Sequence, residues 1–172
     1  CDVFPALDAS LRTVSHFYQT SEQFQRDRIK IVNGIRTLDL DGISLIMSED
    51  GKAVDLSSVE KFRGKGRIIV AEGNCYIGDL FPESIQNDSL SIYLMGGRYV
   101  LKSDSSVIHI FASLSATTLF KDNSSCLASS EGGIEFEGKS VNNFGNLIVD
   151  NLFEMHNMPE NGFLKIVHNP KL

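Results

Sequence analysis

The alternation of apolar and polar residues between Thr37 and Phe81 predicts a series of β-strands. Leu38 and Leu40 alternate with polar neighbours, and the alternation resumes at Ile43 after an Asp41-Gly42 step that predicts a turn. A period of two residues is typical of a strand with one buried face.

Shorter apolar runs follow this first strand at 54–56 and 67–70, and each run ends at polar or glycine-containing breaks. Strands this short cannot bury a face alone and must stack on neighbouring strands. The pattern therefore predicts a mainly β protein whose body is solenoidal.

Further strand-like segments continue to the end of the chain. The step Met95–Arg98 within the most apolar region, 89–119, predicts a hairpin or a tight corner, and the polar segment 121–133 is predicted to be a loop. The other predicted strands are 107–111, 134–138, 147–153 and 163–167. The whole pattern predicts roughly nine to twelve strands and one or two helices.

A different period marks residues 6–27. Residues at steps of four and three positions would share one side of a helix, and these are Leu7, Leu11, Val14, Tyr18 and Ser21. This stripe predicts a helix that packs on the β-body or, alternatively, forms a short trimeric coiled coil. A second short helix that restarts after Thr20 is also compatible, because Thr20 and Gln23 have capping-box spacing. Asn33-Gly34 then predicts a hairpin turn.

The composition is that of a folded, single-domain protein. The chain has 172 residues, 42% of them hydrophobic and 22% charged, with 14 Gly and only 4 Pro. We expect an N-terminal helical segment, 1–33, and one β-rich body, 34–172. The chain begins with Cys1 and not with Met, so we expect a processed or excised piece of a longer protein.

Charge and hydropathy exclude two classes of partner. The net charge of −6 disfavours nucleic acid, because phosphate binding needs clustered Lys and Arg. No run of about 18 apolar residues is present, so no membrane insertion is predicted.

The cysteines and histidines predict neither a metal site nor a cofactor. Cys1, Cys75 and Cys126 lack the CxxC spacing of zinc and redox sites, and their odd number disfavours a disulfide framework. The histidines at 16, 109, 156 and 168 show no metal-ligand spacing.

Two sequence motifs between residues 37 and 81 resemble the opening rungs of bacteriophage tailspike and tail fibre proteins of the right-handed parallel β-helix type. They are Leu38-Asp39-Leu40-Asp41-Gly42 and Phe62-Arg63-Gly64-Lys65-Gly66-Arg67-Ile68-Ile69-Val70, and the resemblance covers 37–81. Residues 85–172 depart from it, because they show no repeat of constant period.

The resemblance implies a homotrimer that binds host surface polysaccharide or mediates tail assembly with other tail proteins. It also implies that the protein is made in the host cytoplasm and acts outside the cell, in the virion tail. No catalytic residue is carried over from the family. Two alternatives stay open: a polysaccharide-degrading β-helix enzyme, either a lyase or a glycoside hydrolase, and a β-sandwich adhesion domain.

Three groups of residues are candidates for binding or catalysis. Lys61, Arg63, Lys65 and Arg67 would form a basic row on one side of a strand, suited either to an acidic sugar or to protection of a sheet edge. Aromatic rings can stack on the apolar face of a pyranose, and the candidates are Tyr76, Tyr93, Tyr99 and Phe144.

The third group is the carboxylate pair Glu135 and Glu137, which would lie about 7 Å apart if both residues shared a strand face. That separation falls within the range that glycoside hydrolases use. The same pair is equally typical of a solvated strand face.

Overall fold

The computed structural model describes residues 14–122, 127–130, 132–153 and 160–167, in which eighteen strands and one helix lie. The helix is α1 Ser21–Arg28. The strands are β1 His16–Tyr18, β2 Ile29–Val32, β3 Ile35–Ile46, β4 Val54–Leu56, β5 Lys61–Ala71, β6 Cys75–Ile77, β7 Phe81–Pro82, β8 Ser89–Met95, β9 Arg98–Leu101, β10 Val107–Ile110, β11 Ser113–Thr117, β12 Leu119–Asp122, β13 Leu127–Ser130, β14 Gly133–Glu135, β15 Ser140–Asn143, β16 Leu147–Val149, β17 Asn151–Phe153 and β18 Leu164–Ile166.

Most strands stack in parallel on three faces of a β-solenoid of about five turns. Face A contains β1, β3, β5, β8, β11 and β16; face B contains β4, β6, β9, β14 and β17; face C contains β10, β15 and β18. Each complete turn passes from A through B to C and then starts the next strand of A. The parallel pairing confirms the predicted solenoidal body, because a β-sandwich is built from antiparallel strands.

The length of one turn varies along the chain. On face A, 24 residues separate Ser44 from Ile68 and Ile68 from Ile92, whereas 22 separate Ile92 from Leu114 and 33 separate Leu114 from Leu147. The longest turn includes an antiparallel hairpin of β12 and β13. This insertion explains why the second half of the sequence shows no constant period.

The core consists of inward-facing side chains stacked from turn to turn. On face A one such column contains Ile46, Val70, Leu94 and Ala116, all of them buried. A buried side chain of this size contributes about 1.5–3 kcal/mol through removal of apolar surface from water. No single turn has a core of its own, and the turns therefore stabilise one another.

The predicted turn at Asp41-Gly42 is wrong, because β3 runs without a break from Ile35 to Ile46. Gly42 has φ +68° and pairs with Gly66, while Gly64 at φ +88° pairs with Leu40. Adjacent strands thus carry positive-φ glycines close together. The chain can bend there while the parallel register continues on both sides.

At the N-terminal end, the helix predicted over 6–27 is wrong at His16–Tyr18, which form β1 and pair with Ser44–Ile46 of β3. The alternative of a helix restarting after Thr20 is confirmed. The Oγ1 of Thr20 accepts a hydrogen bond of 3.2 Å from the Gln23 N–H, so Thr20 caps α1. Leu7 and Leu11 lie outside the described residues, as do Cys1, Cys126, His156 and His168.

Helix α1 packs against β2, β3 and β4. Its Phe24 is buried, and the ring meets the Tyr18 ring edge-on at 5.4 Å between centroids. Both aromatic rings belong to the main core, so α1 covers the N-terminal end of the solenoid. With eight residues this helix is too short to span a bilayer, and the described residues contain no helix that could.

Three local predictions have clear outcomes. The Asn33-Gly34 hairpin is confirmed, since both residues have positive φ and β2 pairs antiparallel with β3. Met95–Arg98 forms a corner from face A to face B and not a hairpin. The loop predicted over 121–133 is wrong in part, because 127–130 form β13.

Candidate functional site

The predicted basic row lies on β5 of face A. Phe62 is fully buried beneath the strand, whereas Arg63 and Lys65 are exposed and Lys61 and Arg67 are half-buried. Gly64 and Gly66 occupy the intervening inward positions, so no side chain competes with the row. The four basic residues therefore follow one strand on its outer side.

The two ends of this row differ in their partners. Arg63 makes a two-pronged ion pair with Asp39 of the neighbouring β3, with Nη2 3.2 Å from Oδ2. Hydrogen bonding to Asp39, and then its charge, raises the pKa of Arg63. Lys65 has no carboxylate within ion-pair distance among the described residues. Arg63 is thus neutralised by its neighbour, and Lys65 is not.

A shallow pocket of about 300 Å³ lies on face A around the second half of the row, and we call it the face A pocket. Its lining residues are Gly42, Ile43, Lys65, Gly66, Arg67, Ser89 and Ser91. Lys65 pairs in register with Ser89, and Arg67 with Ser91. The pocket therefore combines two cationic groups and two hydroxyls on adjacent strands, with Ile43 as an apolar wall.

Tyr93 and Tyr99, two of the three tyrosines proposed for glycan stacking, have different environments. Tyr93 is half-buried on the outer side of β8, and the Arg67 guanidinium carbon is 5.2 Å from the centre of its ring. Tyr99 is 0% exposed, and its hydroxyl hydrogen-bonds to the Ile92 carbonyl oxygen at 2.7 Å. This burial corrects the predicted glycan-binding set, because Tyr99 offers no ring face to a ligand.

Glu135 and Glu137, the carboxylates predicted to act as a pair, do not lie on the same strand. Glu135 is the last residue of β14 and forms an ion pair with Arg98, with Oε1 and Nη1 2.5 Å apart. Phe136 is buried, and Glu137 follows in a turn with φ +48°. Glu137 is therefore not on the strand, and the premise of a shared strand face is wrong.

Glu137 contributes instead to a larger cleft of about 740 Å³, where face B turns towards face C in successive turns; we call it the corner cleft. Its lining residues are Ser57, Ser58, Val59, Glu60, Asp79, Leu101, Lys102, Ser103, Asp104, Glu137 and Lys139. Sequence reasoning missed this cleft because its residues come from four separate corners. The 24-residue spacing of Asp79 and Ser103, which hydrogen-bond to each other at 3.3 Å, was its only signal.

An aromatic stack runs along face C beside the corner cleft. The rings of Phe111 and Phe144 are 4.3 Å apart and nearly parallel, and Phe81 lies 5.4 Å from Phe111. His109 lies beside this stack, and its backbone N–H donates a 2.8 Å hydrogen bond to Asp79. Because the faces of Phe111 and Phe144 are turned towards each other, Phe144 joins the turns and has only one face left for a sugar.

Tyr76 and Cys75 complete the set of candidates. The Lys102 ammonium lies over the Tyr76 ring, 3.5 Å from the ring centre, so a cation already occupies one face of this ring. Cys75 is buried, and burial raises the pKa of its thiol. Cys75 is thus a small core residue and not an accessible thiol.

Comparison with known proteins adds no functional assignment. No family model, no curated protein and no solved structure matches the chain. In the part of the chain that the structure describes, no three His, Cys, Asp or Glu side chains are grouped to hold a metal ion.

Proposed function

We propose that this chain is a structural and receptor-binding module of a phage tailspike or tail fibre that binds host surface polysaccharide. One observation carries the proposal: a parallel β-solenoid presents, on face A, a shallow pocket lined by basic and hydroxyl groups, with the Tyr93 ring next to its Arg67. A long glycan can lie across such a face, because stacked strands repeat their side chains at regular intervals of about 4.8 Å. The protein would act outside the cell, on the virion tail, alongside other tail proteins.

A binding assay tests this function. The purified chain is titrated against a panel of neutral, carboxylated and sulfated polysaccharides in affinity electrophoresis. We expect retardation by at least one polysaccharide, and loss of that retardation when Tyr93 is replaced by Ala. Absence of binding to every member of the panel would contradict the proposal.

Assembly into a homotrimer is the second part of the proposal. In the described part of the predicted stripe, Tyr18 and Ser21 are buried within the chain and offer no surface to a partner, whereas Val14 is half-buried. Exposed apolar side chains such as Ile31 (77% exposed) and Ile148 (64%) remain on the surface. Light scattering should give three times the chain mass of 19.0 kDa, and a monomer would contradict the trimer.

A second candidate function is that of a polysaccharide depolymerase. The observation in its favour is the corner cleft, where Glu60, Asp79, Asp104 and Glu137 line one cavity together with two lysines. Hydrolysis of a glycosidic bond needs one carboxyl group to protonate the leaving oxygen and another to activate water or attack the sugar. Glu137, in the turn after β14, is the candidate that the sequence had also indicated.

Release of reducing ends from a bound polysaccharide tests the enzyme. We expect Glu137→Gln to abolish that release and the matched surface variant Glu49→Gln to preserve it. Equal release by both variants would remove Glu137 from the mechanism, and no release by the unchanged protein would leave the binding module as the function.

A further inference from the structure

We infer that the face A pocket binds an oxyanion, a carboxylate or a sulfate, that is carried on a saccharide. The inference rests on the proposed polysaccharide-binding function and specifies the ligand that this function would recognise. Its basis is the juxtaposition of Lys65, Arg67, Ser89 and Ser91 across two paired strands.

The spacing of these four residues suits one anionic group. Lys65 and Arg67 are two positions apart on the outer side of β5, so their Cα atoms are about 7 Å from each other. Ser89 and Ser91 repeat that spacing on β8, about 4.8 Å away. An oxyanion above the middle of this rectangle would have the two cationic residues on one strand and the two serines on the other as its neighbours.

The backbone beneath the pocket leaves it open. Gly66 lies between Lys65 and Arg67, and a side chain at this position would point inwards, where it would meet the Cβ of Leu40 at 3.0 Å. No bulky outward group therefore stands between the two cations. A ligand can approach the strand closely from the solvent side.

The charges around the pocket leave Lys65 available. Asp41 is in register with Lys65 on β3, but its Oδ2 is 3.8 Å from the Nε2 of His16 and outside ion-pair distance of the lysine. Arg63, one step along the row, shows the opposite arrangement, because Asp39 neutralises it. Lys65 therefore has no ion-pair partner among the described residues, whereas Arg63 has one.

Tyr93 restricts the position of the Arg67 side chain and offers a hydroxyl group for contact with a sugar. The guanidinium of Arg67 lies over the Tyr93 ring, which restricts its position above the sheet. The phenol hydroxyl of Tyr93 and the serine hydroxyls can donate to and accept from sugar hydroxyls. This mixture of polar groups favours a saccharide that carries an anion over an isolated inorganic ion.

The charge of the whole chain favours a saccharide over nucleic acid. The net charge of −6 disfavours a nucleic acid, which must bring many phosphates close to the surface, more than a saccharide whose anionic group enters this one pocket. A nucleic acid needs many phosphate contacts for affinity, whereas a glycan needs one well-placed charge together with hydroxyl contacts.

The test compares ligands that differ only in charge. The full chain is titrated calorimetrically with polygalacturonate and with fully methyl-esterified polygalacturonate, which has the same backbone without charge. Dextran sulfate and dextran form the second pair and distinguish a sulfate from a carboxylate. We expect one charged polymer to bind at least about tenfold more tightly than its neutral counterpart.

Variants connect that preference to the pocket. Lys65→Gln and Arg67→Gln should each weaken binding of the charged polymer about tenfold or more and leave any binding of the neutral polymer unchanged. The control is Lys165→Gln, which removes an exposed positive charge on face C, and it should bind like the unchanged protein. Circular dichroism melts verify that each variant is folded.

Each outcome distinguishes the two proposals. Equal binding of a charged polymer and its neutral counterpart would overturn the anion site and preserve polysaccharide binding. Loss of anion preference in Lys165→Gln as well would also overturn it, because the preference would then be a property of the whole surface. Binding of single-stranded DNA with equal affinity would overturn the saccharide, and binding of no polymer would overturn both proposals.

Discussion

Tyr99 shows how one side chain joins several turns of the solenoid. It lies on β9 of face B, and its hydroxyl crosses the interior to face A. There it donates to the Ile92 carbonyl of β8 at 2.7 Å, and the Ser115 N–H of β11 donates to it at 3.2 Å. Burial is the main reason that the pKa of this phenol lies well above its usual value. Tyr99 therefore stays neutral and acts as a fixed donor and acceptor.

Replacing Tyr99 by Phe tests this role. The ring would still fill the core, but the Ile92 carbonyl and the Ser115 N–H would each lose a buried partner. We expect the free energy of unfolding in urea to fall by about 1–3 kcal/mol. Tyr93→Phe, at a half-buried outward position, is the matched control and should change it by less than about 0.5 kcal/mol. Equal losses in the two variants would contradict the proposed role.

Cys75 couples the stability of the core to pH. Desolvation raises the pKa of its thiol in the folded chain, whereas in the unfolded chain the thiol ionises at about pH 8.5. Above that pH the unfolded state binds fewer protons than the folded state, so unfolding becomes more favourable as pH rises. The stability contributed by the neutral thiol is thus complete below about pH 8.5 and is lost above it.

We therefore expect the free energy of unfolding to decrease by up to about 1.4 kcal/mol per pH unit between about pH 8.5 and 10. Cys75→Ala should be less stable at pH 7 because it leaves a small cavity, and it should lack most of this pH dependence. Urea titrations of both proteins at several pH values measure the two slopes. Parallel slopes would show that another group is responsible.

At the scale of elements, strands were more predictable than the connections between them. The alternation of apolar and polar residues along β3 and β5 is visible in the sequence because successive residues point to opposite sides of a strand. Gly42 was mistaken for a turn, since glycine serves both a turn and a bend within a strand. The glycines Gly64 and Gly66 in the next turn of the solenoid distinguish a bend within a strand from a turn. Their closeness to Gly42 cannot be read from the sequence around Gly42 alone.

The residues of the candidate site also differ in whether the sequence alone could predict them. The basic row was predictable, because all its members lie on β5. Ser89 and Ser91 were missed because they enter the face A pocket from β8, a full turn later. Tyr99 was misassigned, since a tyrosine in an alternating strand has the same sequence signal whether it faces the core or solvent. Side-chain direction at this position depends on the corner at Gly96 and Gly97 that precedes the strand.

The close approach of β3 and β5 gives a prediction for Gly64. It has φ +88°, and a Cβ there would lie 2.3 Å from the Leu40 carbonyl oxygen. Gly51 also has positive φ, +64°, but a Cβ there would meet nothing within 4 Å. Gly51→Ala should therefore cost only the conformational strain, about 1–2 kcal/mol, and Gly64→Ala should cost at least about 2 kcal/mol more because the strands must separate.

Thermal and urea unfolding of these two alanine variants provide the comparison. Similar losses would mean that backbone strain alone determines the cost and that the two strands can move apart freely.

Across the whole molecule, the two ends of the described solenoid differ. Helix α1 covers the first turns with the buried Phe24. In the last turn that the structure describes, β16, β17 and β18 have no further described strand beyond them. The inward column on face C shows the change directly, because Ile110, Asn143 and Ile166 are in register and their exposed fractions are 0%, 1% and 49%. Stability should therefore decrease towards the last turn.

Alanine at the two isoleucines of this column measures that gradient. Ile110→Ala removes the same atoms as Ile166→Ala, but from a fully enclosed site, so we expect losses of about 2–5 kcal/mol and less than about 1.5 kcal/mol, respectively. Native-state hydrogen exchange should agree, with the amides of β18 exchanging earlier than those of β5 and β8. If both variants lost the same stability, Ile166 would be as enclosed in solution as Ile110. A further layer, supplied by another part of the protein or by a second copy, would then have to cover this turn.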